Sequence, residues 1–179
     1  MKTEPVPGYF QQPSIQGDVL AFVSEEDLWT VPVSGGTARR LTCGLSRAGN
    51  PALSPNGLWL AFTGRDEGHP EVYVMPAAGG APRRLTWQGA VARVLGWMPG
   101  GREIVFSSNS AQPFWSRTEL FAVPADGGPA RKLPYGPASA ISFGPGGAVV
   151  IGRHFHEPAM WRGYRGGTAG ELWVDPSGK

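Results

Sequence analysis

The chain has 179 residues, of which 27 are glycine and 18 are proline, so about a quarter of its positions hold helix-breaking residues. A mainly helical fold is therefore excluded. The hydrophobic share of 41%, with 7 Trp, 8 Phe and 4 Tyr, supplies enough apolar surface for a folded core and argues against disorder. A net charge of +2 gives no case for nucleic acid or an anionic membrane as partner.

Targeting signals are missing from the start of the sequence. Residues 1–14 show neither the basic nor the apolar region of a secretory leader, and Cys43, as the single cysteine, cannot form an internal disulfide. No apolar run approaches the roughly 18 residues of a membrane helix. We therefore expect a soluble, cytoplasmic protein.

Four short apolar strands recur along the chain, and their last residues are 40, 44 and 45 positions apart. They are Val19–Phe22, Trp59–Phe62, Glu103–Phe106 and Ala148–Ile151. Each follows a tight-turn sequence, namely Gln16–Asp18, Ser54–Gly57, Met98–Gly101 and Gly144–Gly147. Ahead of each turn we predict an innermost strand, at about Gln11–Ile15, Asn50–Leu53, Val94–Trp97 and Ala140–Phe143.

Downstream of each strand, an acidic residue precedes an apolar-aromatic pair. These segments are Asp27–Trp29, Glu71–Tyr73, Glu119–Phe121 and Glu171–Trp173. In the first three units a Gly-Gly turn follows, and then a basic pair: Arg39 and Arg40, Arg83 and Arg84, or Arg131 and Lys132. Each unit thus predicts a sheet of four antiparallel strands.

Four-stranded units that repeat every 40–50 residues or so are typical of β-propeller blades, which stack radially to bury both sheet faces. We predict an all-β partial propeller of about four blades, at residues 9–44, 45–89, 90–136 and 137–179, with the last blade one strand short. The chain is then a segment of something longer, or several copies complete the ring. Bulky residues predicted to pack between blades are Phe22, Trp29, Phe62, Tyr73, Phe106, Phe121 and Trp173.

Several segments carry a resemblance to a known family. They are Gly17-Asp18 with Asp27–Trp29, Gln112–Phe114, Tyr135–Ala138, Val150–Arg153 and, above all, Trp161–Gly167 followed by Leu172-Trp173. Together they resemble the amino-terminal six-bladed propeller of the tricorn proteases. The general blade pattern is also similar to the WD40-like repeat of TolB.

The resemblance implies part of a cytoplasmic serine peptidase that trims oligopeptides and passes them to aminopeptidases. It places this segment outside the catalytic region, as a scaffold, peptide channel, filter or docking face. Implied partners are oligopeptides, aminopeptidases and the remaining domains or subunits, which include a PDZ-like domain. The alternative is a free-standing TolB-like module for protein–protein interaction.

Motifs for independent chemistry are weak. No nucleophile elbow is present, and Ser46 lacks the second glycine of one. His154 and His156 would share a face of a strand, but two ligands do not make a zinc site. We therefore predict no catalytic residue, no metal and no cofactor in this chain.

Two groups of residues remain candidates for binding. The first is the basic rim: Arg39, Arg40, Arg83, Arg84, Arg131 and Lys132. It is either a solvated outer edge or an arc of positive charge that docks a partner, and pairing with the recurring acidic residues would weaken its field. The second is the segment that contains Trp161, Arg162, Tyr164 and Arg165, which suits a peptide contact, a subunit contact or a self-packed loop. Self-association of the chain is a further expectation, because it would cover a bare blade.

Overall fold

The computed structural model describes residues 8–43, 47–66, 68–110, 112–153 and 170–177. These residues form four antiparallel sheets, called blades 1 to 4 in chain order. No helix in these ranges is long and apolar enough to cross a membrane. The predicted all-β propeller of four blades is confirmed.

The strand bounds follow the repeat of the sequence. Blade 1 contains β1 (Gln11–Gln16), β2 (Val19–Ser24), β3 (Asp27–Pro32) and β4 (Arg39–Arg40). Blade 2 contains β5 (Gly49–Leu53), β6 (Trp59–Gly64), β7 (Glu71–Pro76) and β8 (Arg83–Arg84). Blade 3 contains β9 (Ala92–Trp97), β10 (Glu103–Ser108), β11 (Glu119–Pro124) and β12 (Arg131–Pro137). Blade 4 contains β13 (Ala140–Phe143), a 3₁₀ turn (Pro145–Gly147), β14 (Val149–Arg153) and β15 (Glu171–Asp175).

Within each blade, every strand pairs with the next strand along the chain, so the sheet is a simple meander. The predicted innermost strands are confirmed as β1, β5, β9 and β13. The register places the aromatic residues of the second and third strands opposite each other, as in Phe22 and Trp29, or Phe62 and Tyr73. Such cross-strand pairs widen the apolar surface that each blade offers to its neighbour.

The hydrophobic core lies between blades. Phe62 and Leu53 of blade 2 belong to the same buried cluster as Val23 and Leu28 of blade 1. Equivalent clusters join blade 2 to blade 3 and blade 3 to blade 4. Because side chains alternate across a strand, each middle blade buries both of its faces. The predicted packing between blades is confirmed for Phe62, Tyr73 and Phe106, whereas Phe22 is buried but contacts Phe10 of its own blade and belongs to none of these clusters.

The prediction of a core position is wrong for Trp173. Its side chain is 51% exposed, and its neighbours Leu172 and Val174 are exposed as well. Trp173 pairs with Ile151 and so lies on the face of blade 4 that is turned towards blade 3, whereas Leu172 and Val174 lie on the opposite face. Trp173 instead stacks under the Arg153 guanidinium, 4.1 Å from the ring centre.

The two ends of the blades differ in their connections. One end carries the tight β1–β2-type turns and the Gly-Gly turns, and we call it the turn face. The other end, called the loop face, contains residues 25–26, 41–43, 47–48, 65–66, 68–70, 86–91, 109–110 and 112–118 among those described. The connection from β14 to β15 leaves the sheet on this second side. The longer connections therefore collect on one face.

Candidate functional site

A buried carboxylate anchors the outer strand of blade 1. Arg40 pairs with the Oδ2 atom of Asp27, and the Thr42 hydroxyl donates to Oδ1 at 2.8 Å. The same hydroxyl oxygen accepts the backbone N–H of Leu28 at 2.9 Å. The hydroxyl thus connects the carboxylate to the backbone of β3, which satisfies polar groups that would otherwise be buried without partners.

Blade 2 repeats this arrangement with a glutamate. The Thr86 hydroxyl donates to Glu71 Oε2 at 2.5 Å and accepts the Val72 N–H at 2.9 Å. Arg84 Nη2 lies 3.4 Å from Glu71 Oε1, which also accepts the N–H of Gly89 at 3.2 Å. Glu71 is only 1% exposed, so these contacts hold a charge away from water.

Blade 3 departs from the pattern because Pro134 stands where the other blades have threonine. Glu119 pairs instead with Lys132 at 2.7 Å and accepts a 2.9 Å hydrogen bond from Gln112. In all three blades, therefore, the second member of the basic pair is matched by the recurring acidic residue of its own blade. These three ion pairs compensate the charge of half of the rim residues.

The first member of each pair makes a different contact. Arg39 donates to the Ala78 carbonyl of blade 2 at 2.6 Å, and Arg83 donates to the Ala125 and Asp126 carbonyls of blade 3 at 2.6 and 2.7 Å. These acceptors belong to the next blade, so the guanidinium groups tie neighbouring blades together on the turn face.

Arg131 makes its contact inside blade 3. It binds Glu103 through two hydrogen bonds, of 2.9 and 2.7 Å. The hydrogen bonds from Arg131 hold the pKa of the Glu103 carboxyl below its ordinary value. Docking of a partner by the basic rim stays a prediction, and the rim that would do so is already engaged in contacts within the propeller.

The predicted binding segment with Trp161, Arg162, Tyr164 and Arg165 lies outside the described residues, as do Ser46, His154 and His156. The bounds of β14 and β15 show only where this segment departs and returns. In the part of the chain that is described, no group of three or more His, Cys, Asp or Glu side chains could hold a metal ion.

The innermost strands of neighbouring blades lie side by side and are joined by polar contacts. Ser14 Oγ accepts the Leu53 N–H at 3.1 Å, and the Trp97 indole donates to the Ala52 carbonyl at 2.8 Å. On β1, Gln16 donates to the Pro55 carbonyl at 2.8 Å. Polar side chains of β1 therefore bind the backbone of blade 2 along the inner edge.

A cavity of about 410 Å³ opens on the loop face, between blades 1 and 2. Its described lining residues are Tyr9, Gln11, Gln12, Val23, Ser24, Glu25, Glu26, Arg47, Ala48, Gly49, Asn50, Thr63, Arg65 and Pro70. A backbone hydrogen bond of 2.8 Å, from Ala48 to the Glu26 carbonyl, closes the seam beside it. We call this space the seam cavity. No sequence pattern singled it out, because its walls come from two blades.

All four non-glycine residues with positive φ in the described ranges line the seam cavity. Glu25 and Glu26 form the turn between β2 and β3, with φ of 52° and 66°. Gln12 and Asn50 occupy equivalent bulged positions on β1 and β5, each with φ of 50°. The Gln12 side chain accepts the N–H of Asn50 at 2.5 Å. Left-handed backbone of this kind costs roughly 1–2 kcal/mol per residue, so its concentration at one cavity marks the place as unusual.

Comparison with known proteins supports a specific family. The family model described as the tricorn protease N-terminal beta propeller domain matches residues 7–179. The chain is 39% identical over 178 residues to tricorn protease homolog 1 of Streptomyces coelicolor, and this match covers 97% of the chain but 16% of the relative. It is 31% identical to a putative tricorn-like protease N-terminal subunit of Sulfurisphaera tokodaii, covering 93% of the chain and 86% of that relative.

Structural comparison agrees with these matches. The chain superimposes on the crystal structure of the tricorn protease with a TM-score of 0.82 and 31% sequence identity, covering 95% of the chain and 17% of that protein. The chain thus spans about a sixth of the length of the first relatives that it matches. It belongs to the tricorn protease family, within the amino-terminal β-propeller domain.

Proposed function

We propose that this chain is a non-catalytic propeller segment of a tricorn-like serine peptidase that degrades oligopeptides. The family match carries this proposal, because a propeller domain model covers residues 7–179. The proposed location is the cytoplasm, and the proposed mechanism needs neither a metal nor a cofactor in this segment.

Within such an enzyme, we assign the propeller a role as scaffold and as channel or filter for short peptides. The polar inner edge of blades 1 and 2 supports this assignment, because exposed side chains of Gln12 and Gln16 offer amide groups along the path of a peptide. The interblade hydrogen bonds of Ser14 and Gln16 hold that edge in place. A rigid, polar lining passes extended chains without binding them tightly.

The loop face is the proposed docking surface for other domains, other subunits or an aminopeptidase. Trp87, Phe114 and Trp115 are largely exposed there, and exposed aromatic residues are enriched at protein–protein contacts. The predicted contact residues Trp161, Arg162, Tyr164 and Arg165 belong to a connection that leaves on the same face. Their contribution to docking is part of this proposal.

The test replaces the amino-terminal propeller segment of the Streptomyces coelicolor homologue with this chain and measures hydrolysis of fluorogenic oligopeptides of increasing length. We expect the chimaera to keep its turnover, and the isolated chain to show none above background. Turnover by the isolated chain that is abolished by a serine-directed inhibitor would overturn the non-catalytic role. Loss of turnover in a folded chimaera would overturn the scaffold role.

A second candidate is a free-standing propeller module that binds other proteins. The Sulfurisphaera tokodaii relative favours it, because that protein is named as a subunit and the chain covers 86% of it. Native mass spectrometry of the chain, alone and with a tricorn peptidase part that lacks its first propeller, separates the two candidates. Assembly that restores peptidase activity supports a tricorn role, whereas stable monomers that never assemble favour a separate module.

A further inference from the structure

The seam cavity carries opposite charges on its two sides. Blade 1 contributes Glu25 and Glu26, and blade 2 contributes Arg47 and Arg65. These are the charged side chains among its described lining residues. A ligand between the blades therefore meets the Glu25 carboxylate of blade 1 and the Arg65 guanidinium of blade 2, whereas Arg47 and Glu26 lie next to each other across the seam.

The charge difference falls on equivalent positions of the repeat. Glu25 follows the last residue of β2, and Arg65 follows the last residue of β6. Both residues are exposed, so packing of the core does not determine the charge at this position. The opposite charges thus belong to the cavity and not to the blade pattern.

The turn that carries the two glutamates is built against local preference. Both central residues of this two-residue hairpin have positive φ, a turn geometry that favours Asn-Gly. Asn-Gly at these two positions would adopt the turn with less backbone strain than Glu25 and Glu26. Departures from local preference concentrate at functional sites, which directs attention to the two carboxylates.

We propose that the seam cavity binds a short peptide through both of its free ends. The peptide ammonium group lies towards Glu25, and the carboxylate lies towards Arg65. This proposal rests on the proposed function, which makes short peptides the ligands that reach the propeller. The cavity volume of about 410 Å³ lies in the range of small-ligand sites, roughly 300–1,000 Å³.

The chemistry of the walls suits both ends of such a ligand. A guanidinium has five N–H donors, so Arg65 can bind a carboxylate in bidentate fashion and keep other contacts. Arg47 and Glu26 lie 3.8 Å apart and are both mainly exposed, so their mutual ion pair is weak and exchangeable. Asn50 also lines the cavity, and its side-chain amide can bind the peptide backbone.

Ligands with a single kind of charge fit less well. A phosphate or a dicarboxylate would be repelled by the glutamates, and a polyamine would be repelled by the arginines. A molecule with one positive and one negative end is attracted by both sides. Among such molecules, a peptide of two or three residues also supplies hydrogen-bonding groups between its ends.

The test measures binding of trialanine to the whole chain by isothermal titration calorimetry. Two matched probes are N-acetyl-trialanine, which lacks the ammonium group, and trialanine amide, which lacks the carboxylate. We expect a Kd of about 1 mM or tighter for trialanine and about tenfold weaker binding for each capped form. Equal affinity for the three probes, or no binding of trialanine in this range, would overturn the proposal.

Variants identify the side chains. Glu25→Asn suits the turn, so it should keep the fold while it removes the preference for a free amino end. Arg65→Gln should remove the preference for a free carboxyl end. Matched controls on the turn face are Asp18→Asn and Arg102→Gln, which should bind all three probes as the native chain does. If the cavity variants also keep both preferences, the site lies elsewhere and the proposal fails.

These measurements fail independently of the test of the proposed function. Peptide binding that depends on both free ends, together with a folded but inactive chimaera, would support the seam cavity and overturn the scaffold role. An active chimaera, together with peptide binding that does not change when either peptide end is capped, would overturn only the proposal for the seam cavity.

Discussion

Arg83 of blade 2 donates a 2.7 Å hydrogen bond to the backbone carbonyl of Asp126 in blade 3. The same guanidinium also binds the Ala125 carbonyl, so one side chain holds the Gly-Gly turn of the next blade. Arg39 makes the equivalent contact with Ala78 one blade earlier. A cation that binds backbone carbonyls needs no particular side chain on its partner. The repeat can therefore reuse this interblade contact with different turn sequences.

Substitution of Arg83 by methionine should lower the free energy of unfolding by about 1 kcal/mol, because charge-assisted hydrogen bonds to partly exposed carbonyls are lost. Chemical denaturation measures the change. Arg102→Met is the matched control, since Arg102 is exposed on the same face. Equal effects of the two substitutions would show that the interblade contact contributes nothing to stability.

Alanine at Gly127 should destabilise the protein more than alanine at Gly35, its equivalent in blade 1. Both glycines have positive φ, of 103° and 89°, so each substitution carries backbone strain of roughly 1–2 kcal/mol. A Cβ atom at Gly127 would also lie 3.2 Å from Arg83 Nη1, whereas Gly35 has open space around it. When Arg83 is also replaced by methionine, thermal denaturation should show that alanine at Gly127 and alanine at Gly35 destabilise the protein equally. A difference that persists there would contradict the role of Arg83.

Thr86→Val should lower the free energy of unfolding by about 2 kcal/mol or more, although the side-chain shape is kept. The change leaves the Val72 N–H and the buried Glu71 carboxylate each short of one partner, and unsatisfied buried groups cost about 1–3 kcal/mol apiece. The exposed Thr37→Val is the control, expected within about 0.5 kcal/mol of the native chain. A similar loss for both variants would mean that the hydroxyl contacts are not the cause.

The ion pair between Glu103 and Arg131 should stabilise the fold at neutral pH and lose its effect in acid. The Glu103 carboxyl has a folded-state pKa below the ordinary value of 4.5. The ion pair therefore contributes fully to the free energy of unfolding above that pH, and this contribution disappears as the pH falls through the folded-state pKa. Denaturation at several pH values should show Glu103→Gln less stable than the native chain at pH 7, by under about 1 kcal/mol because the pair is partly exposed. The difference in free energy of unfolding between the two proteins should disappear at acid pH.

A double-mutant cycle supplies the control for this pair. Arg131→Gln should produce the same loss as Glu103→Gln, and the two changes together should cost little more than either alone. Fully additive losses at pH 7, or a gap that widens in acid, would contradict the assignment of the stabilisation to this pair.

Much of the fold was predictable from sequence because each blade is a local unit. Neighbouring strands are neighbours in the chain, and the turns carry Gly, Pro and Asn at fixed offsets, so β1 to β15 follow from short-range patterns. Trp173 is the exception, since its repeat position predicts burial and its exposure is 51%. Its side chain lies on the face of β15 that is turned towards blade 3, where it stacks with Arg153 instead of entering the core, and such packing between blades is long-range.

The residues of the basic rim also differ in whether the sequence predicts their contacts. The pairing of Arg84 with Glu71 was predictable, because the repeat places both residues on adjacent strands of one sheet. The contact of Arg83 with the next blade was not, because its acceptors are backbone carbonyls 42 and 43 residues away. A backbone acceptor has no signature in the sequence.

The sequence by itself determined the all-β class, the number of blades, the order of their strands and the family resemblance, because these rest on turn chemistry and a repeat period. The tertiary structure alone decided which groups meet across the space between two blades. It placed Glu25 and Arg65, two equivalent positions of the repeat, on opposite sides of one cavity. The physical reason is that a blade's own sequence specifies its strands and faces, whereas the space between blades exists only after two of them have packed.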